Sequence, residues 1–317
     1  MERLNNAGSI YKIKPVKKNL WHQIMGNWQL YVLLILPVSL MLLFNYAPMY
    51  GVIIAFKNYS TKLGIMGSHW VGMTHFTKFF SNAKSIAIIQ NTLILSLYQL
   101  IASVPIPIIL AIMLNETKNQ RFKKAVQLAT YAPYFISTVV IVSMLIQFTD
   151  GRIGIINKLT GVFGADPVNF MGKKEWFRHL YVWSGVWQGA GYGAVIYIAA
   201  LSGISTELYE AARIDGANKW KRVFYIDLPM LLPTVSIMLI LNLGQVMNIG
   251  FEKVYLMQNA ANSAVSEVIS TYVYKIGMIQ QNFSFSTAIN LFNSVVNMVL
   301  VITVNAISSK LGDTSLF

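Results

Sequence analysis

The sequence predicts an all-α polytopic membrane protein with six spanning helices, and three observations predict it. Of its 317 residues, 55% are hydrophobic and only 12% are charged, against about 25% charged in an ordinary soluble domain. The apolar residues gather in six segments free of Asp, Glu, Lys and Arg, at about 28–56, 87–114, 125–148, 179–203, 229–250 and 287–309. Each is longer than the roughly 20 residues a helix needs to cross the hydrocarbon core. Together they form one transmembrane domain over 28–309.

Residues 1–27 are polar and basic. No small-residue cleavage site follows the first apolar run, so the first span reads as an uncleaved anchor behind a cytoplasmic N-terminal segment. Pro37, Pro48, Pro105, Pro107 and Pro133 fall inside the first three spans. They read as kinks, because neighbouring helices can satisfy the carbonyls that a proline frees. Between the second and third spans lies a short basic loop, 115–124, and Asn91-Thr92 stands near the start of the second span. The fourth span carries Gly185, Gly189, Gly191, Gly193, Ala199 and Ala200, small residues that let helices approach closely. The loops 57–86, 149–178 and 251–286 hold turn signals such as Gly161 with Gly164 and Asp166 before Pro167; they read as compact caps. After the sixth span, 310–317 forms a short tail.

Charge sets the orientation. With the N-terminus inside, the inner segments 1–27, 115–124, 204–228 and 310–317 carry 14 basic residues in 70, and the outer loops 11 in 96. The bias places both termini on the cytoplasmic side, with Lys173, Lys174 and Arg178 against the trend. The net charge of +13 reads as attraction to the lipid surface rather than to nucleic acid.

Enzyme chemistry finds no residues to carry it. The nearest approach to a phosphate loop, Gly172-Lys173-Lys174, has Pro167 where the first glycine should stand. There is no H-E-x-x-H, the histidines His22, His69, His75 and His179 are scattered, and the absence of cysteine excludes disulfides and thiolate chemistry. We expect no catalytic residue, no metal and no cofactor bound by this chain. The spans also lack a titratable group of the kind that ion-driven carriers hold at depth. Uphill transport would then draw its energy from outside the chain.

The inner loop 204–228 is the most informative segment. Ser205 or Thr206 can cap a helix with Glu207 in its first turn. Leu208, Ala211, Ala212 and Ile214 are its apolar residues, and Gly216 is a natural stop. A second short helix over about 218–227 leads to Pro229 at the start of the fifth span. Such a helix–stop–helix suits docking on a partner, although the same spacing fits a solvated amphipathic loop.

Glu210-Ala211-Ala212, then Gly216, then Ile226-x-Leu228-Pro229 resembles throughout the "EAA loop" of binding-protein-dependent ABC importer permeases of the type I fold. The resemblance extends over essentially the whole chain, Asn91-Thr92 included. Leu208-Tyr209-Glu210 with Arg213-Ile214-Asp215-Gly216-Ala217 is similar to the carbohydrate branch, which includes the larger maltose-importer permease. Phe283-Ser-Phe-Ser-Thr-Ala and Leu311-Gly-Asp-Thr-Ser-Leu-Phe317 resemble a subgroup that imports oligosaccharides from plant or algal polysaccharides. Ser205-Thr206 departs from the pattern where many relatives have proline.

The resemblance implies a subunit rather than an enzyme. It implies a second permease completing the pore, commonly as a heterodimer, and two cytoplasmic ATPases that use ATP and Mg. An external solute-binding protein would deliver the sugar. The implied coupling residues are Glu210, Ala211, Ala212, Arg213, Asp215 and Gly216.

Sugars are held by aromatic faces and by amide or hydroxyl groups. Trp187-Gln188-Gly189-Ala-Gly-Tyr192 reproduces the spacing at which the maltose permease places sugar contacts. Asn242, Gln245 and Asn248 recur every three residues, as do Asn290 and Asn293, with Asn297 a turn further on; each stripe shares a helix face. These amides face protein or a wet cavity, since lipid disfavours them, and helix–helix hydrogen bonding explains them equally well. A permease of the same machinery for a peptide, polyamine or anion is the nearest competing reading, and a membrane scaffold or embedded enzyme the more distant one.

Overall fold

The computed structural model describes residues 25–311 apart from Gln245 and Asn248. Most of the basic N-terminal segment, most of the C-terminal tail, and those two amides lie outside the described residues. The chain divides into two compact units, 1–52 and 53–317.

In the first unit, α1 (Trp28–Met41) passes through a π-turn at Leu42–Tyr46 into a 3-10 segment that begins at Ala47. The π-turn ends where Ala47 N–H donates to the Leu42 carbonyl, immediately before Pro48. A proline supplies no N–H and its ring crowds the carbonyl four residues back, so the wider turn absorbs the defect. The apolar side chains from Leu30 to Leu43 are mostly exposed, Leu33 by 73%, as a lipid-facing helix requires.

The second unit opens with a two-residue antiparallel pair, β1 (Lys57–Asn58) and β2 (His69–Trp70), with the four-residue helix α2 (Gly64–Gly67) between them. The short α3 (Thr74–Phe80) leads to α4 (Ala83–Ser103), which starts at Ala83, four residues before the apolar segment. Asn82 caps it by accepting from Lys84 N–H. Asn91 and Thr92 therefore lie two turns inside the helix rather than at its opening. Pro105 and Pro107 interrupt only the join to α5 (Pro105–Glu116), and the pair spans as one helix.

The third predicted span is broken. α6 (Gln120–Tyr131) and α7 (Thr138–Phe148) are bent by 100° about a 3-10 turn at Ala132–Phe135. The kink expected at Pro133 is thus a full corner, because Ser137 starts a new helix by capping Val140 N–H. Gln188 Nε2 donates to the Ile136 carbonyl at 3.0 Å, which satisfies the exposed backbone from a neighbouring helix. α8 (Ile155–Val162) follows in the loop, and α9 (Lys174–Ser202) is the longest helix of the centre.

After a 73° bend comes α10 (Thr206–Ile214), then α11 (Lys219–Arg222), a π-turn at Val223–Asp227 and α12 (Leu228–Leu243). The expected short helix and fifth span are in fact one continuous helix, Lys219–Leu243. Across the π-turn Leu228 N–H reaches the Val223 carbonyl, one residue further back than in an α-helix, and Pro229 follows directly. This second π-turn stands before its proline as the first does. The helix stops at Leu243, short of residue 250. α13 (Phe251–Met257), α14 (Ser263–Ser266) and α15 (Ile269–Tyr274) pack beyond it, and α16 (Phe283–Leu311) is the last helix.

α9 is the axis of this unit. Leu95, Phe177, Val182 and Val254 form one buried cluster around it, and Ala111, Ala194, Leu201, Ile226 and Leu231 another. Its glycines are not equivalent. A Cβ on Gly191 would lie 2.1 Å from the Thr130 carbonyl oxygen, whereas one on Gly189 would meet nothing within 4 Å. Gly191→Ala should therefore force α6 away and lower stability by about 1–3 kcal/mol. Gly189→Ala should be neutral or slightly stabilising through helix propensity. Thermal unfolding of the detergent-solubilised protein checks the pair; equal midpoints for both variants would contradict this packing.

Candidate coupling loop and translocation path

The inner loop folds from local signals. Ser205 Oγ accepts from Glu207 N–H at 3.2 Å and so caps α10. At the other end Gly216 adopts φ +73°, and the N–H groups of Gly216 and Ala217 close on the carbonyls of Arg213 and Ala212. That left-handed turn is cheap only for glycine. Asn218 then caps the next helix by accepting from Lys221 N–H.

Glu210, Ala211, Arg213 and Asp215 are exposed along α10, and Ala212 is half-buried. Ile214 is 86% exposed, and Trp220, Phe224 and Tyr225 expose most of their surface beside it. A nine-residue helix with its apolar tip in the open is not held by its own propensity; its inner face is. Tyr209 donates to Asp227 Oδ1 at 2.5 Å, and Arg222 Nη2 meets Glu116 Oε2 at 3.1 Å. Asp227 is fully buried and Arg222 nearly so. Burial, reinforced by the Asp227 carboxylate, raises the Tyr209 phenol well above its usual range, so Tyr209 is a permanent donor. These four residues were absent from the sequence reading of the site. Their sequence signal was two acids and an arginine close to span ends, with Tyr209 read only within the family resemblance.

The candidate path residues separate into three groups. Asn242 and Gly189 line a largely apolar cleft of about 230 Å³, in which Gln99, Ser103, Tyr197 and Asn242 are the polar side chains. Gln99, Ser103 and Asn242 also line a second opening of about 170 Å³ with Ser96 and Tyr181. Trp187 lies elsewhere on α9, half-exposed, in an apolar groove of about 400 Å³ with Trp176, Trp183 and Phe148. Gln188 and Tyr192 form the third group at the helix break: Gln188 ties Ile136, and Tyr192 stacks on Tyr134 at 3.9 Å between centroids, nearly parallel.

Of the expected stripe, Asn242 lies in the last turn of α12, which ends at Leu243; Gln245 and Asn248 lie outside the described residues. In α16, Asn293 and Asn297 are buried and Asn290 is exposed. Asn297 Oδ1 accepts from Met247 N–H at 3.1 Å, a helix-to-loop tie. Asn91 and Thr92 have a similar job. Asn91 Nδ2 donates to the carbonyls of Ala264 and Glu267, Arg178 donates to Asn91 Oδ1, and Thr92 Oγ1 accepts from Ile269 N–H.

The sequence reading also placed every basic residue outside the bundle. Lys253, on α13 in the segment read as an outer loop, instead packs inward: Nζ donates to the Tyr181 carbonyl at 2.9 Å and lies 4.9 Å from the Tyr181 ring centroid. No residue spacing announces this, because it depends on where α13 folds back.

Comparison with known proteins follows this geometry. Residues 103–313 match the family described as "binding-protein-dependent transport system inner membrane component". Over 306 residues the chain is 39% identical to the polygalacturonan/rhamnogalacturonan transport system permease protein YteP of Bacillus subtilis (strain 168), covering 96% of this chain and 95% of that one. Protein LplB of the same organism is 40% identical over 288 residues, covering 91% of each. A bacterial alginate ABC transporter, crystallised with an alginate pentasaccharide-bound periplasmic protein, superposes with a TM-score of 0.87 at 35% identity over 94% of this chain and 100% of that one. With this match over more than half its length, and with an exposed inner loop between long apolar helices, the chain belongs to the family of inner-membrane components of binding-protein-dependent transport systems.

Proposed function

We propose that the chain is the permease subunit of an ATP-driven oligosaccharide importer and forms half of a translocation pore with a second permease. Two cytoplasmic ATPases, which use ATP and Mg, dock on α10, and an external binding protein delivers the sugar. Both termini are cytoplasmic in this reading. The observation that carries it is the coupling loop: an exposed acidic and apolar helix whose inner face is fastened to the spans by half-buried polar contacts. A helix so built passes a push from a docked partner to α12 rather than bending. The names of relatives at 39% identity and of a solved importer support a carbohydrate cargo.

Glu210, Ala211, Ala212, Arg213, Asp215 and Gly216 form the docking element in this account. Glu210 accepts charge-assisted hydrogen bonds from a cation in the ATPase cleft. Glu210→Lys should leave the complex assembled but cut cargo-stimulated ATP hydrolysis about tenfold or more, on the scale of a buried interfacial charge pair. Full stimulation in the reconstituted Glu210→Lys complex would contradict the docking role.

Trp187 and its neighbour Trp183 offer ring faces along α9, with the Asn242 cleft on another side of the same helix; Gln188, Gly189, Tyr192, Asn242, Gln245, Asn248 and Asn293 complete the proposed pathway. Loss of one stacking face costs about 1 kcal/mol, or about fivefold in KM. Trp187→Ala should show that change in uptake with a normal membrane level, and unchanged uptake would remove Trp187 from the path.

A further inference from the structure

Among the described residues, nothing covers the apolar face of α8. Ile153, Ile155, Leu159, Val162 and Phe163 are exposed, Val162 by 80% and Phe163 by 89%. Ile155, Leu159, Val162 and Phe163 recur at i, i+4, i+7 and i+8, which is one side of a helix. Eight residues are far too few to cross a membrane, so this face does not belong to a span.

The loop that carries α8 is closed and bolted. Phe170 N–H donates to the Thr149 carbonyl at 3.3 Å, which joins the exit of α7 to the approach of α9. Asn157 is buried on the far side of α8. Its Nδ2 donates to the carbonyls of Asp150 and Val168, each at 2.8 Å, and its Oδ1 accepts from Val168 N–H at 2.9 Å. A Cβ on Gly154 would lie 2.6 Å from the Phe148 carbonyl oxygen, so α8 begins against the last turn of α7. The apolar face is therefore held outward where a span leaves the membrane. From there α9 runs for 29 residues, about 43 Å, before the coupling loop begins, so α8 and α10 lie on opposite membrane faces.

Charge points to what meets that face. Lys158 is exposed at its edge, one turn before Val162, and Arg152 is exposed just ahead of it. Asp150 is already engaged, its Oδ1 accepting from the N–H groups of Arg152 and Ile153. Residues 149–178 hold five basic residues against three acids, an excess that the charge bias of the loops leaves unexplained. A helix with an apolar face edged by Lys and Arg lies flat in the headgroup layer, and anionic lipid strengthens its hold.

We propose that α8 is an interfacial anchor that seats its apolar face among anionic phospholipids on the membrane face opposite the coupling loop, with Arg152 and Lys158 on their phosphates. It fixes the far end of α7, which has 11 residues and is cut from α6 by the corner at Ala132–Phe135. The proposal rests on the membrane fold and needs neither the cargo nor the coupling reading.

The test uses the full complex, with the partner subunits' own cysteines replaced, in vesicles of three parts phosphatidylcholine to one part phosphatidylglycerol. Leu159→Cys, Phe163→Cys and, on the other side of α8, Gly161→Cys each carry an environment-sensitive fluorophore; a Cβ at Gly161 meets nothing within 4 Å. Spin labels near the top of the acyl chains should quench the fluorophore at Leu159 and Phe163, whereas iodide in water should quench it at Gly161. Iodide quenching at all three sites would overturn the anchor. So would protection of Leu159 and Phe163 from both quenchers, whether constant or only with the external binding protein added, because a protein surface would then cover the face. A second measurement needs no cysteine. In wild-type complex, photoactivatable phosphatidylglycerol should be captured on residues 152–163 about fivefold more than the matching phosphatidylcholine, the preference that one lysine near the headgroups supplies. Lys158→Glu should abolish that preference at unchanged complex yield. Equal capture of the two lipids by wild type, or capture of neither on this segment, would refute the proposal.

Discussion

The structure of the second unit depends on four polar side chains at one end of the bundle, Arg222 and Asp227 buried and Glu116 and Tyr209 half-buried. Arg222 meets Glu116 at 3.1 Å, and Tyr209 meets Asp227 at 2.5 Å. Through them the last residue of α5, the middle of α10 and both sides of a π-turn are held at one place. The apolar cluster of Leu201, Ile204, Ile226 and Leu231 seals the contact. Such pairs contribute little net stability, because desolvation offsets their attraction, but breaking one leaves a buried charge behind. Their effect is to permit one arrangement only. That is what a transmission element needs, since force applied at an exposed helix is lost if the helix can pivot.

The same economy of polar groups runs through the rest of the unit. Backbone freed at the Ala132–Phe135 corner is satisfied by Gln188, and the segment Ala264–Ile269 is anchored by Asn91 and Thr92. In a membrane each unsatisfied backbone amide costs several kcal/mol, and these two irregular segments are matched by nearby side chains. Two π-turns stand just before Pro48 and Pro229.

Much of this was legible in the sequence, for physical reasons. Spans are a matter of composition, and lipid enforces composition locally. Ser205, Gly216 and Asn218 act within a few residues of themselves, so a helix–stop–helix could be read directly. What could not be read depends on contacts distant in sequence. Pro133 signals a defect but not whether it becomes a kink or a corner, which Gln188 decides from 52 residues away. The amide stripe from Asn242 assumed that helix continued past Leu243. Trp187 and Gln188 are adjacent in sequence, yet successive residues on a helix point about 100° apart, so one meets an apolar groove and the other a backbone carbonyl. Lys253 was assigned to a loop because hydropathy counts residues along the chain and cannot register a segment that folds back into the bundle.

The central claim is that α10 and α12 move as one body. Spin labels at cysteines introduced at Thr206 and Leu232, in a chain that has no cysteine of its own, report on it directly. Pulsed electron paramagnetic resonance on the reconstituted complex should give one narrow distance distribution, identical without nucleotide and with ATP bound. Arg222→Met should broaden it. A wild-type distance that shifts when ATP binds, or a distribution already broad without it, would contradict the rigid connection.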